Sequence, residues 1–137
     1  MNSEPSRLKV SLPAEAGNVS IIRSAAVAEA EKAGMASGRV SDLKTAVSEA
    51  CANVVLHAYP EHEEPGPIEI EITAGESAIT TVVRDFGRGL RPSVTRRGET
   101  LGLGLSLIGA LSSCFQMRSS HGRGTEIRFT VPLGEAT

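Results

Sequence analysis

Residues 42–59 read DLKTAVSEACANVVLHAY, a run without glycine or proline in which an acid, an amide and an imidazole recur at every fourth position, as Glu49, Asn53 and His57. The run predicts a single helix. At 3.6 residues per turn, positions four apart drift by only about 40°, so the three polar side chains form one row. Leu43, Val47, Ala50, Val54 and Ala58 make an apolar stripe centred about 100° around the helix from it, so the row borders the buried face. Asn is a middling helix former that competes with the backbone for hydrogen bonds. In mid-helix beside a core face it asks for a partner.

The flanking segments predict what covers that helix. Leu8, Val10 and Leu12 alternate with Lys9 and Ser11 until Pro13, the pattern of a short edge strand. Residues 18–33 carry Val19, Ile22, Ala26, Ala30 and Ala33 at helical spacing, with Gly34 as terminator; residues 34–38 connect, and Ser41 or Asp42 can cap the central helix. After an acidic, proline-rich loop at 60–67, Ile68, Ile70 and Ile72 alternate with polar residues. A turn at Gly75 and Glu76 leads to a second strand with Ile79, Thr81, Val83 and Asp85 on its inward parity. LGLGL at 101–105 leads into a helix containing Ile108, and two further strands place Phe115 and Met117, then Thr125, Ile127, Phe129 and Val131, inward.

Paired strands with short turns and helices on one side predict an α+β fold. The expected form is a two-layer sandwich whose mixed, mostly antiparallel sheet is covered on one face by about three helices. One domain over residues 1–137 is expected, large enough to bury a core without disulfides. Cys51 and Cys114 lie far apart without zinc-ligand spacing, and Cys51 reads as a buried thiol. A net charge of -2 and a near absence of aromatics exclude a generic nucleic-acid binder, and no basic cluster suits an anionic membrane. No apolar run approaches the roughly 20 residues of a membrane span, and the N-terminus has no signal core, so a cytoplasmic location is expected.

Asp85 stands out among the inward residues. A carboxylate on the core parity carries a desolvation penalty of several kcal/mol unless something binds it. The glycines of Asp85-Phe86-Gly87-Arg88-Gly89 permit a close backbone approach. No Gly-x-x-x-x-Gly-Lys-Ser/Thr is present, which excludes a P-loop, and Pro92 stands where a dinucleotide fingerprint needs its third glycine.

Together, Glu49-x-x-x-Asn53-x-x-x-His57, Asp85-x-Gly87-x-Gly89, Gly102-x-Gly104 and Gly124-Thr125 resemble the four nucleotide-binding boxes of one ATPase superfamily. Gyrase, the heat-shock chaperone, sensor histidine kinases and the mismatch-repair ATPase share its Bergerat-type fold. Within it, AVSEACANVVLHAY looks most like the bacterial anti-sigma factor serine kinases, whose boxes read Ser-Glu-Ala, then Asn, then His-Ala-Tyr.

The resemblance implies an ATP- and Mg²⁺-dependent kinase. It would sequester a sigma factor and phosphorylate a serine on an anti-sigma factor antagonist, commonly as a homodimer. By the same resemblance, Asp85 accepts a hydrogen bond from the adenine amino group with Thr125 assisting through water, Asn53 ligates Mg²⁺, and Glu49 acts as base toward the attacking hydroxyl. Gly87, Gly89 and the segment Leu101, Gly102, Leu103, Gly104 and Leu105 would meet the nucleotide, and residues 90–101 would form a short lid with Arg96 or Arg97 as phosphate contacts. His57 would either touch phosphate or Mg²⁺-bound water, or cap the last carbonyls of its helix. A nucleotide-gated binding module without kinase activity and a detached sensor histidine kinase catalytic domain are the alternatives.

Overall fold

The isoleucine and valine alternation builds the sheet. In the computed structural model, which describes residues 6–59, 64–88, 101–120 and 122–135, the strands are β1 (Ser6–Pro13), β2 (Pro67–Ala74), β3 (Ala78–Asp85), β4 (Cys114–Ser120) and β5 (Gly124–Pro132). They form one sheet in the order β1-β2-β3-β5-β4. Each neighbouring pair is antiparallel, so the expected mixed sheet is wholly antiparallel among the described residues. The connections explain this. Two helices, α1 (Ala16–Lys32) and α2 (Ser37–Asn53), separate β1 from β2, and a there-and-back pair returns the chain to the end it left. One helix, α3 (Leu101–Leu111), separates β3 from β4, which therefore run the same way, but β5 lies between them and removes the parallel contact. The result is a split β-α-β unit.

The helices cover one face. α2 packs between α1 and α3 and reaches β3 and β5. Ile68, Ile70, Ile72, Ile79, Val83, Ile127, Phe129 and Val131 of the sheet close on Ile22, Leu43, Val47 and Ile108 of the helices, all buried. Met117 has the inward parity but stays 36% exposed, because it faces a pocket instead of the core. The opposite face is polar: the Arg84 guanidinium meets Glu126 at 2.8 Å, Glu69 at 3.1 Å and Glu71 at 3.6 Å.

Two helix boundaries differ from expectation, both of them in α2. α1 ends as the glycine predicts, with Gly34 at φ +78 and the Met35 amide bonding the Ala30 carbonyl at 3.0 Å. α2, however, begins at Ser37 and not at residue 42, and its N-cap Ala36 makes no side-chain cap. A distant group does the capping's neighbouring work: the Ala36 amide donates to the Leu133 carbonyl at 2.8 Å, fixing the helix entry. Asp42 is instead inside the helix, paired with Arg39 at 3.7 Å. At the other end the regular helix stops at Asn53, and Val54–Ala58 forms a π-helical turn.

Thr81 is fully buried opposite Ile72 and Phe129, and its hydroxyl has no hydrogen-bond partner among the described residues. Thr81→Val removes that orphan at nearly constant shape. It is expected to raise the unfolding free energy by about 1 kcal/mol in urea denaturation. A loss of stability would show that the hydroxyl is satisfied in solution.

Candidate functional site

The inward ends of β3, β5 and β4 and the end of α2 surround a small pocket, part of it open to solvent. Asn53, His57, Asp85, Leu105 and Thr125 all line it. Asn53 and His57 of the helical row and the strand-end carboxylate therefore share one pocket. Their meeting depends on register, since Asp85 stands opposite Thr125 on β5 and Ile68 on β2.

Asp85 is 6% exposed. Its Oδ1 accepts hydrogen bonds from the Gly87 amide at 3.0 Å and the Thr125 amide at 3.2 Å. No described residue donates to Oδ2. Burial pushes the carboxyl above its ordinary value, and the two amide bonds only partly oppose that shift. A buried carboxylate held by one oxygen, with the other offered to a cavity, suits a ligand N–H donor.

At the α2 end, Asn53 Nδ2 and His57 Nε2 are buried without hydrogen-bond partners among the described residues. Two orphaned polar atoms beside one pocket are rare in a folded protein unless a ligand completes them. Burial first, and then the Arg88 charge, lower the His57 pKa, so the imidazole is neutral near pH 7. The π-turn that carries it is a kind of helix irregularity frequent at functional sites. Its last carbonyls are in fact occupied: Arg88 donates to the His57 carbonyl through Nε and to the Ala58 carbonyl through its amide, both at 2.9 Å. The helix-capping role open to His57 in the sequence thus belongs to Arg88, which sequence reasoning passed over because only the folded loop brings it there. Glu49 lies one turn before Asn53, half-buried and without an ion pair or hydrogen bond among the described residues, but it does not line the pocket. The row therefore divides into two pocket residues and one flanking acid.

The glycines divide as well. At Gly87 a side chain would run into the Ala58 carbonyl, so this glycine lets the loop dock on the π-turn and present its amide to Asp85. At Gly124, φ is +98 and a Cβ would meet the Asp85 carbonyl, with Phe86 Cα at 2.9 Å. Both build the pocket wall from behind. Gly124→Ala is expected to cost at least about 2 kcal/mol of stability, from the left-handed backbone and the displaced Asp85 strand end together; unchanged urea denaturation would contradict this. Gly102 and Gly104, expected before a helix, are the second and fourth residues of α3, within its first turn, together with Leu101 and Leu103. The amides of that turn have no acceptor within the helix as far as it is described, and Leu105 reaches the pocket. Gly89, Arg96, Arg97 and the rest of the expected lid before residue 101 lie outside the described residues.

Comparison with known proteins agrees with this fold. The family model described as a histidine kinase-like ATPase domain matches residues 12–131. A serine-protein kinase RsbW of Bacillus cereus (strain AH187) is 34% identical, with 85% of this chain and 79% of that protein covered. The anti-sigma F factor of Clostridium botulinum (strain Eklund 17B / Type B) is 33% identical over 65% of this chain and 68% of that protein. Among solved structures, the RsbU and RsbW domains of Rv1364c from Mycobacterium tuberculosis superpose with a TM-score of 0.71 at 22% identity, covering 93% of this chain and 33% of that one. The histidine kinase domain of the Erythrobacter litoralis EL346 blue-light activated histidine kinase gives 0.55 at 18% identity, over 89% of this chain and 62% of that one. These two likenesses establish the fold.

Proposed function

We propose that this chain, which belongs to the histidine kinase-like ATPase family and within it to the anti-sigma factor kinases, is an ATP- and Mg²⁺-dependent protein serine kinase that also sequesters a sigma factor. Its substrate is a serine of an anti-sigma factor antagonist. One domain over residues 1–137, working as a homodimer in the cytoplasm, completes the reading; no helix among the described residues is long and apolar enough to cross a membrane.

The observation that carries the proposal is one pocket lined by both a buried carboxylate, Asp85, and an unpaired amide nitrogen, Asn53 Nδ2, a donor suited to a phosphate oxygen. Asp85 accepts a hydrogen bond from the adenine amino group, and Thr125, whose hydroxyl is shared with Ser119 at 2.9 Å, lies beside it. Asn53 supplies a neutral oxygen suited to Mg²⁺, which typically takes only one or two protein ligands beside phosphates and water. Bound there, the ion neutralises charge on the phosphates. The first-turn amides of α3, with the positive end of its dipole, hold phosphate oxygens. Neutral His57 completes the polar rim beside Asn53. Glu49 takes the proton of the attacking serine hydroxyl as its oxygen bonds the γ-phosphorus and the bond to the ADP oxygen breaks.

Radiolabelled ATP with candidate antagonist proteins tests the proposal. Acid-stable phosphoserine on the antagonist is the expected product. No label would leave a nucleotide-gated binding module, and acid-labile phosphohistidine would indicate a detached histidine kinase domain.

A further inference from the structure

Tyr59 follows the π-turn and takes an extended backbone, φ -122 and ψ 141. Its hydroxyl donates to the Pro67 carbonyl at 2.7 Å and accepts from the Phe86 amide at 3.0 Å. Those two partners are not arbitrary. The β2-β3 register ends at Ile68 opposite Asp85, so Pro67 and Phe86 would form the next rung. The phenol stands in that rung, replacing a direct amide-carbonyl bond with a relay and letting the strands part. Its ring has a made seat: a Cβ on Gly66 would lie 2.6 Å from Tyr59 Cζ.

Parting the strands lets residues 86–88 leave β2 and dock on the π-turn. The segment is then held at both ends. Phe86 is fixed by Tyr59, while Arg88 is fixed by the His57 and Ala58 carbonyls and, through its own carbonyl, by the Gly122 amide at 2.7 Å. Between them lies Gly87, whose amide holds Asp85 Oδ1.

We propose that Tyr59 is a positioning residue for Asp85: by bridging Pro67 and Phe86 it fixes the Gly87 amide, and so aims the free carboxylate oxygen at the base. This rests on the reading of Asp85 as the adenine acceptor. Because Tyr59 directly follows the π-turn that carries His57, it also ties the base-reading end of the pocket to the end bearing Asn53.

The test compares ATP with purine riboside triphosphate, which lacks the 6-amino group, by titration calorimetry on the full chain and on Tyr59→Phe. The variant keeps the ring in its seat and loses both hydrogen bonds. The parent is expected to prefer ATP by about 100-fold and the variant by about 10-fold, whatever the change in melting temperature. A purely structural Tyr59 would lower the melting temperature and leave the ratio alone. A parent that discriminates and a variant that discriminates equally would overturn the role of Tyr59 while sparing that of Asp85. A parent that does not discriminate would overturn both. If Tyr59→Phe fails to fold, Gly66→Ala, which pushes the ring from its seat but keeps the hydroxyl, gives the same readout with the same outcomes.

Discussion

Asp85→Asn is expected to leave a folded protein that melts no lower than the parent yet binds ATP about 100-fold more weakly. The substitution keeps an oxygen where Oδ1 accepts the Gly87 and Thr125 amides. It puts an NH₂ donor where the second carboxylate oxygen would meet the adenine amino group, so two donors face each other. Stability and function separate because burial disfavours the charge that recognition needs. The sign is testable. A carboxyl whose folded pKa is raised above 3.8 destabilises the charged, ligand-free protein, and that penalty shrinks as pH falls through the folded value and vanishes below the unfolded one. The melting advantage of Asp85→Asn should therefore narrow on acidification in the absence of nucleotide. A variant that binds ATP like the parent would remove Asp85 from base recognition.

Glu49→Gln is expected to lower phosphoryl transfer by about 10²- to 10⁴-fold with ATP affinity unchanged. Glu49 does not line the pocket, so the nucleotide loses no contact. It flanks Asn53 by one turn, and no described cation neutralises it, which leaves the carboxylate able to receive a proton. Glutamine keeps the shape and gives up that capacity. Single-turnover kinetics with a phosphorylatable antagonist, alongside calorimetric ATP binding, measure the two effects separately. Full transfer activity in Glu49→Gln would assign the base elsewhere.

The strand faces were legible because alternation has a strict period of two. That period also places Asp85 and Thr125 on one face, and their pairing across β3 and β5 needs only the register. The polar row was legible for the same kind of reason, up to Asn53. Beyond it the sequence misled: a π-turn needs one residue more per turn, and VVLHA carries no residue that announces it. The start of α2 was hidden differently. Ser41 and Asp42 offered good local caps, but the Leu133 carbonyl, distant in the chain, extends the helix past them to Ser37. Gly87 reads as a close approach, and the neighbour it admits among the described residues is the Ala58 carbonyl. Tyr59 and Arg88 had no periodic signal, since their partners exist only once β3 has separated from β2.

The insertion of β5 between β3 and β4 has a consequence for synthesis. During translation, β3 and β4 emerge first and wait with their facing edges open, because the strand that joins them is made after both. Thr125, which holds Asp85, arrives with that strand. A nascent chain can gather α1 and α2 and pair β1, β2 and β3 early, but the pocket is completed only when the final strand slots into the middle of the sheet. Partial products therefore present unpaired strand edges and an Asp85 that lacks its Thr125 hydrogen bond.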